Sequence, residues 1–262
     1  MVTGLVLSGG AAKGYAHLGV LHALHEHGLR FDCVAGTSIG AIIGALLAEG
    51  HTPSEIKDIF DREKNINLLR FSWQSTGLLS QSGLRRALGR YLKSRRFEDL
   101  NFPLFVSTTD LNSGKNHIFH EGELIPALMA SSAIPLLFEP VRINGRLFVD
   151  GGITCNLPAL TIRESCDRII GINVNPVHET EVTDSWLQSL ERILNIAIQS
   201  NIEPQIGLCD DYIEPGNMQE FHLFSLGMGD RMFETGYQSA KKYLNERNNI
   251  STAALNATIG GG

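Results

Sequence analysis

The sequence predicts an α/β protein: a three-layer α/β/α arrangement on a mainly parallel central sheet. Three observations carry this. Short, continuously apolar segments alternate with helical ones from the first residues onward, as 4–7, 14–27, 31–35 and 41–49. The apolar segments lack polar alternation, so both faces are buried, as in a parallel sheet covered by helices. The 262 residues are 43% apolar and 19% charged, which suits one large domain with a substantial core.

The elements follow in order. Residues 4–7 form a first strand, broken by Ser8-Gly9-Gly10. A helix over 14–27 places Leu18, Val20, Leu21 and Leu24 inward and stops at Gly28, a natural C′ residue. After the second strand, 36–40 is a tight turn and 41–49 a helix of small residues. Thr52-Pro53-Ser54-Glu55 opens another helix, with Thr52 as N-cap, Pro53 at N1 and Glu55 completing a capping box. Ser82 starts a helix to Leu92, 104–108 is a strand, and Asn112-Ser113-Gly114-Lys115 turns it into 116–120. A helix over 123–132 ends before Pro135. Residues 141–143 and 146–149 flank Asn144-Gly145, a strong hairpin signal. Residues 168–174 form another core strand. Trp186, Leu187, Leu190, Leu194, Ala197 and Ile198 share one face of a long helix. The last helix is expected over 230–247, giving a single domain over 1–247 and a flexible tail over 248–262.

Composition excludes several classes. A net charge of −6 without clustered Lys/Arg argues against nucleic-acid binding. Cys33, Cys155, Cys166 and Cys209 form no CxxC pair, so no zinc ribbon or disulfide framework is implied. The N-terminus lacks a basic signal-peptide region. The longest uncharged apolar stretch, 33–48, is interrupted by glycines and falls short of the ~20 residues of a membrane span. A cytoplasmic location is expected.

Three motifs carry chemistry. Gly36-Thr37-Ser38-Ile39-Gly40 is a G-x-S-x-G between a strand and a helix. That context is what a nucleophile elbow needs, with Gly36 and Gly40 removing Cβ atoms around a strained Ser38. Gly9-Gly10-Ala11-Ala12-Lys13-Gly14 joins the first strand to the first helix. Such a loop offers free backbone N–H groups. Tyr15 after Gly14 breaks the P-loop pattern, and the glycine spacing does not fit a dinucleotide fingerprint. An oxyanion hole near Gly10 and Ala11, facing Ser38, is favoured over a structural turn. Asp150-Gly151-Gly152 ends a strand, and by itself reads as an ordinary turn.

Together these motifs, with Ala130-Ser131-Ser132-Ala133-Ile134-Pro135 and the later Asn156 and Pro158, resemble the patatin-like phospholipase family over at least residues 5–158. The layout is similar to its short bacterial branch. The resemblance implies a patatin-like fold and a Ser–Asp dyad without histidine, with Ser38 as nucleophile and Asp150 as general base. It also implies oxyanion N–H groups from Gly9, Gly10 and Ala11. Lys13 matches the family's basic loop position, either as a contact for an anion or as an orienter of the loop. A lipid or acyl-ester substrate is implied and no cofactor or metal, and a transient contact with a membrane surface is left open.

Other readings are weighed. A Ser–His–Asp triad would need His178 or His222, but only one strand–helix unit precedes Ser38, which is early for that fold. His22 and His25, with His17 and His27, have no carboxylate pattern and read as a solvated helix face rather than a metal site. His117 and His120 read as surface residues. The apolar residues of 68–79 suit either a lid or a cap over the core. A carboxylesterase or acyltransferase on the same site, or a non-catalytic binding protein of the same fold, are the rival functions.

Overall fold

The computed structural model describes residues 1–65, 81–177, 179, 186–222 and 225–259; the segment 68–79, read as a lid or a cap over the core, and His178 lie outside them. The first half runs β1 (Thr3–Leu7), α1 (Gly14–Glu26), β2 (Cys33–Thr37), α2 (Ile39–Glu49), α3 (Pro53–Asn65) and α4 (Ser82–Tyr91). It continues through β3 (Leu104–Asp110), β4 (Lys115–Phe119), α5 (Leu124–Ser131), β5 (Val141–Ile143) and β6 (Arg146–Asp150). The rest is β7 (Arg168–Ile172), α6 (Trp186–Ile206), β8 (Asp211–Ile213) and α7 (Gly229–Ile259).

The strands form one sheet in the order β5-β6-β3-β2-β1-β7-β8, with β4 also on β3. The pairings β1–β2, β2–β3, β1–β7 and β7–β8 are parallel; those of β3–β4, β3–β6 and β5–β6 are antiparallel. The alternation of side chains sorts the core into two layers. Leu5, Leu7, Val34, Ile170 and Ile172 face α1, α2 and α7, whereas Val6, Cys33, Ala35 and Ile169 face Leu157, Ile162 and Ile202 of α6. That is the three-layer arrangement, with α6 on the face opposite α1.

Local expectations are met in detail. Glu55 Oε2 accepts from the Thr52 N–H at 2.8 Å, and the Glu55 N–H donates to Thr52 Oγ1 at 3.3 Å, so the capping box is reciprocal. Gly28 takes φ of 76° after α1, and Asn144 and Gly145 both take positive φ in the β5–β6 turn, the I′-type requirement of a two-residue hairpin.

Three differences matter. β2 continues through Thr37, so the turn before α2 is Ser38 alone. α7 runs past Arg247 to Ile259; no Gly or Pro occurs between Arg247 and Gly260. On α6, Ala197 is exposed and falls off the expected face, while Ile198 packs with Ile202 and Ile206 against the core.

α7 is held closely. A methyl on Gly19 of α1 would overlap the Phe233 carbonyl, and one on Gly236 of α7 would overlap the Ala16 carbonyl, so the two helices meet backbone to backbone. Asp211 of β8 accepts from Tyr243 and Arg247 of α7 and from Arg168 of β7. Among the described residues no helix is long and apolar enough to cross a membrane.

Candidate active site

The sheet register brings the chemistry together. Thr37 of β2 pairs with Ser107 of β3, and Asp150 of β6 pairs with Thr108, the next residue along β3. Ser38, one step past Thr37, therefore meets Asp150 at the same end of β3. β1 and β2 are parallel neighbours, so the 8–13 loop after β1 arrives at that edge as well, where α/β sites form.

Ser38 sits at φ 53° and ψ −121°, a left-handed conformation rare for a residue with a side chain. The neighbours explain its glycines. A Cβ on Gly36 would lie 2.7 Å from the Ala41 N, and one on Gly40 2.5 Å from the Leu7 carbonyl oxygen. The Ser38 N–H donates to Ser131 Oγ at 2.8 Å, and the Ser131 hydroxyl donates to the Ser107 carbonyl at 2.7 Å. The 130–135 segment thus braces the elbow, and the Ala133 carbonyl accepts from the Asp150 N–H at 3.0 Å.

Asp150 is 8% exposed. Burial pushes its carboxyl up to about 6, against the lowering effect of hydrogen bonds from the Gly152 N–H and the Ser38 hydroxyl. The Gly152 bond measures 2.8 Å to Asp150 Oδ1. Gly151 is required because a Cβ there would overlap the Ser107 carbonyl.

The N-terminal loop divides its roles. The Gly9 N–H donates to Asn156 Oδ1 at 3.1 Å, so it is not a free donor as expected; Gly9 holds the loop in place. The N–H groups of Gly10 and Ala11 have no acceptor among the described residues, and Ala11 takes φ of 47°. Lys13 does not line the cleft: it is buried and donates to Asn175 Oδ1 at 2.8 Å. Its stem is enclosed beneath the loop, which favours the orienting role over an anion contact. His17 is also structural. Its Nε2 meets the Ser8 carbonyl at 2.9 Å, and burial lowers its pKa to about 4, so it is neutral with Nε2 protonated.

These groups border a cleft open to solvent, lined by Gly9, Gly10, Ala11, Ser38, Asp150 and Asn156. Ile134, Pro135, Ile153 and Ile198 give it an apolar wall. Asn175 and Asn195 also line it, and α6 carries a polar seam: Asn201 Oδ1 accepts from the Asn156 N–H at 2.8 Å, and its Nδ2 donates to the Gly152 carbonyl at 2.9 Å. Sequence reasoning missed these asparagines. Residues 195, 198, 201 and 205 recur at helical spacing, the one signal that could have exposed the seam.

No histidine lines the cleft among the described residues, and His222 is exposed. His22 pairs with Glu26 and packs against Phe233 and Tyr237. Among the described residues no cluster of three or more His, Cys, Asp or Glu is disposed to hold a metal ion.

A strained serine at a strand–helix turn, a buried carboxylate in the same cleft and a loop whose N–H groups find no acceptor among the described residues mark out an α/β protein with its site at the strand ends. The family model described as Patatin-like phospholipase matches residues 5–162, and the chain belongs to that family. It is 31% identical to patatin-like phospholipase domain-containing protein 7 of Rattus norvegicus over 89% of this chain, spanning 20% of that protein. It is 33% identical to an NTE family protein of Mycobacterium bovis over 72% of this chain and 55% of that one. The chain thus spans about a fifth of the length of the first of these relatives. Among solved structures, VipD from Legionella pneumophila superposes over 94% of this chain and 67% of that chain, with a TM-score of 0.55 and 18% identity, which shows the shared fold.

Proposed function

We propose that the protein is a serine acyl hydrolase of lipid or other carboxylic esters, with Ser38 as nucleophile and Asp150 as general base. The observation that carries this reading is the strained Ser38 set in one cleft with the buried Asp150 carboxyl, opposite the unengaged N–H groups of Gly10 and Ala11. Similarity to a lysophospholipase of Candida glabrata, 31% identical over 67% of this chain, and the apolar cleft wall support a lipid ester as substrate.

The chemistry follows from the parts. Ser38 Oγ attacks the ester carbonyl as Asp150 takes its proton. The carbonyl oxygen becomes an oxyanion, received by the Gly10 and Ala11 N–H groups and the N-terminus of α2. Collapse expels the alcohol, which takes the proton back from Asp150. Water, deprotonated by Asp150, then attacks the acyl-serine; the Ser38 Oγ–carbon bond breaks, Oγ takes the proton back from Asp150, and the acid leaves. A carboxylate raised to about 6 is a stronger base than one in water and is still ionised at neutral pH.

Labelling with a fluorophosphonate, read by intact mass and peptide mapping, tests this. Stoichiometric labelling at Ser38, lost in Ser38→Ala and strongly slowed in Asp150→Asn, is the expected result. Turnover retained by Ser38→Ala would overturn the dyad. A folded wild type that takes no label would favour a binding role. Rates on esters of increasing acyl length, with and without an alcohol acceptor, separate a lipid hydrolase from a short-chain esterase or an acyltransferase.

A further inference from the structure

Asn156 has a second capability beyond holding the N-terminal loop. It is 2% exposed and lines the cleft, yet its Nδ2 has no hydrogen-bond partner among the described residues. Leaving a buried amide NH2 unsatisfied is unfavourable and uncommon. The other buried unpartnered side-chain atoms, on His17, Ser132 and Gln199, belong to residues that do not line the cleft.

The orientation of this amide is fixed by its neighbours. The Gly9 N–H can only donate, so the atom facing it must be Oδ1. A flipped amide would set donor against donor. The backbone of Asn156 is pinned in turn by Asn201 of α6. The space a Cβ would fill at Gly9 lies 2.6 Å from Asn156 Oδ1 and 3.3 Å from Ser38 Cβ. The corresponding point at Gly152 lies 3.1 Å from both Asn156 Oδ1 and Asp150 Oδ1. The Oδ1 end of the amide is therefore wedged beside Ser38, Asp150 and the loop, and the NH2, shielded from bulk solvent, is the unsatisfied end.

We propose that Asn156 Nδ2 is a third oxyanion donor, a side-chain partner to the Gly10 and Ala11 N–H groups. The proposal rests on Ser38 acting as the nucleophile. When the Ser38 Oγ–carbon bond forms, the carbonyl π pair moves onto oxygen, and the amide that has no partner in the resting site gains one. When the bond to the leaving alcohol breaks, that pair re-forms the carbonyl and the amide is released. A donor satisfied only in the transition state lowers the barrier without tightening substrate binding.

The test compares acylation rates on an aryl ester and its thionoester, in wild type, Asn156→Asp, Asn156→Leu and Ser38→Ala. Asn156→Asp retains an oxygen for the Gly9 N–H and removes the NH2; plateau rates above the pH dependence are compared. Sulfur is a poor hydrogen-bond acceptor, so loss of a donor slows the oxygen ester selectively. The expected result is a fall of about 10²–10³-fold in kcat for the oxygen ester, with KM little changed, and a clear fall in the oxygen-to-sulfur rate ratio. Rates that fall by the same factor on both esters would show that Asn156 only supports the loop and would overturn the proposal. So would unchanged rates in Asn156→Asp. Asn156→Leu, checked for folding by circular dichroism, should lose at least as much as Asn156→Asp. Ser38→Ala keeps the readings separate: if it is inactive while the ratio stays constant, only the Asn156 proposal fails.

Discussion

Replacing Asp150 by asparagine should stop ester hydrolysis and at the same time stabilise the folded protein. The carboxyl is raised from 3.8 to about 6, chiefly by burial. A group whose folded pKa lies above its unfolded one favours the folded state fully below the unfolded value, and that favour is lost as pH rises through the folded value. At pH 8 the native protein therefore holds an ionised carboxylate where a neutral group is preferred. The shift of about two units corresponds to about 3 kcal/mol. The amide is well placed to avoid this. Its oxygen can accept from the Gly152 N–H, as Asp150 Oδ1 does at 2.8 Å, and its NH2 can face the Ser38 hydroxyl. Denaturant unfolding of wild type and Asp150→Asn should show the variant more stable by up to about 3 kcal/mol at pH 8, by roughly half that at pH 5, and by little near pH 3.5. The activity of the wild type should run the opposite way, with kcat/KM falling as pH drops through about 6 while the base is protonated. A stability difference that stays constant from pH 8 to pH 4 would refute the reasoning, because it would place the effect in packing and not in the charge.

Other expectations follow from single contacts. Ser131→Ala removes the acceptor of the Ser38 N–H and should slow fluorophosphonate labelling about tenfold or more while lowering stability by about 1–3 kcal/mol, read by labelling kinetics and denaturation. Gly236→Val would drive a side chain into the Ala16 carbonyl and should destabilise by about 1–3 kcal/mol or more, seen as a lowered melting temperature. Cys33 and Cys166 bring their sulfurs to 3.3 Å, yet burial raises the Cys33 thiol to about 12. Both should resist thiol reagents at pH 8 in the native protein and react on unfolding, as counted by mass spectrometry.

The first strand–turn–helix units and the β5–β6 hairpin were legible because their signals are local: apolar runs, an Asn-Gly turn, a capping box and a G-x-S-x-G. The approach of Ser38 to Asp150 was legible only through the family resemblance, since it depends on a sheet register that joins residues more than a hundred positions apart. The engagement of Gly9 was not legible. Its N–H is one of three in a loop, and only the fold shows that Asn156 takes it. Lys13 was ambiguous for a similar reason, because a lysine beside a glycine loop looks like an anion ligand until its amide partner, Asn175, is located. The polar seam of α6 was hidden because Asn195, Asn201 and Gln205 on a helix look like a solvent face. That these residues turn toward the protein shows only when their partner, the segment after β6, is in place.

The backbone seam between α1 and α7 has a consequence for how the chain is made. The stretch that carries the family signature, residues 5–162, leaves the ribosome with β1 lacking its β7 neighbour and with α1 lacking its cover. Ser38 is thus synthesised long before the layer that shields its scaffold, and Asn201, which pins the loop after Asp150, also comes late. A polypeptide ended at 162 would present an open parallel edge and a bare helix, conditions that favour aggregation over folding. Here synthesis from the N-terminus does not deliver a self-sufficient half first; α7 completes the unit that β1 began.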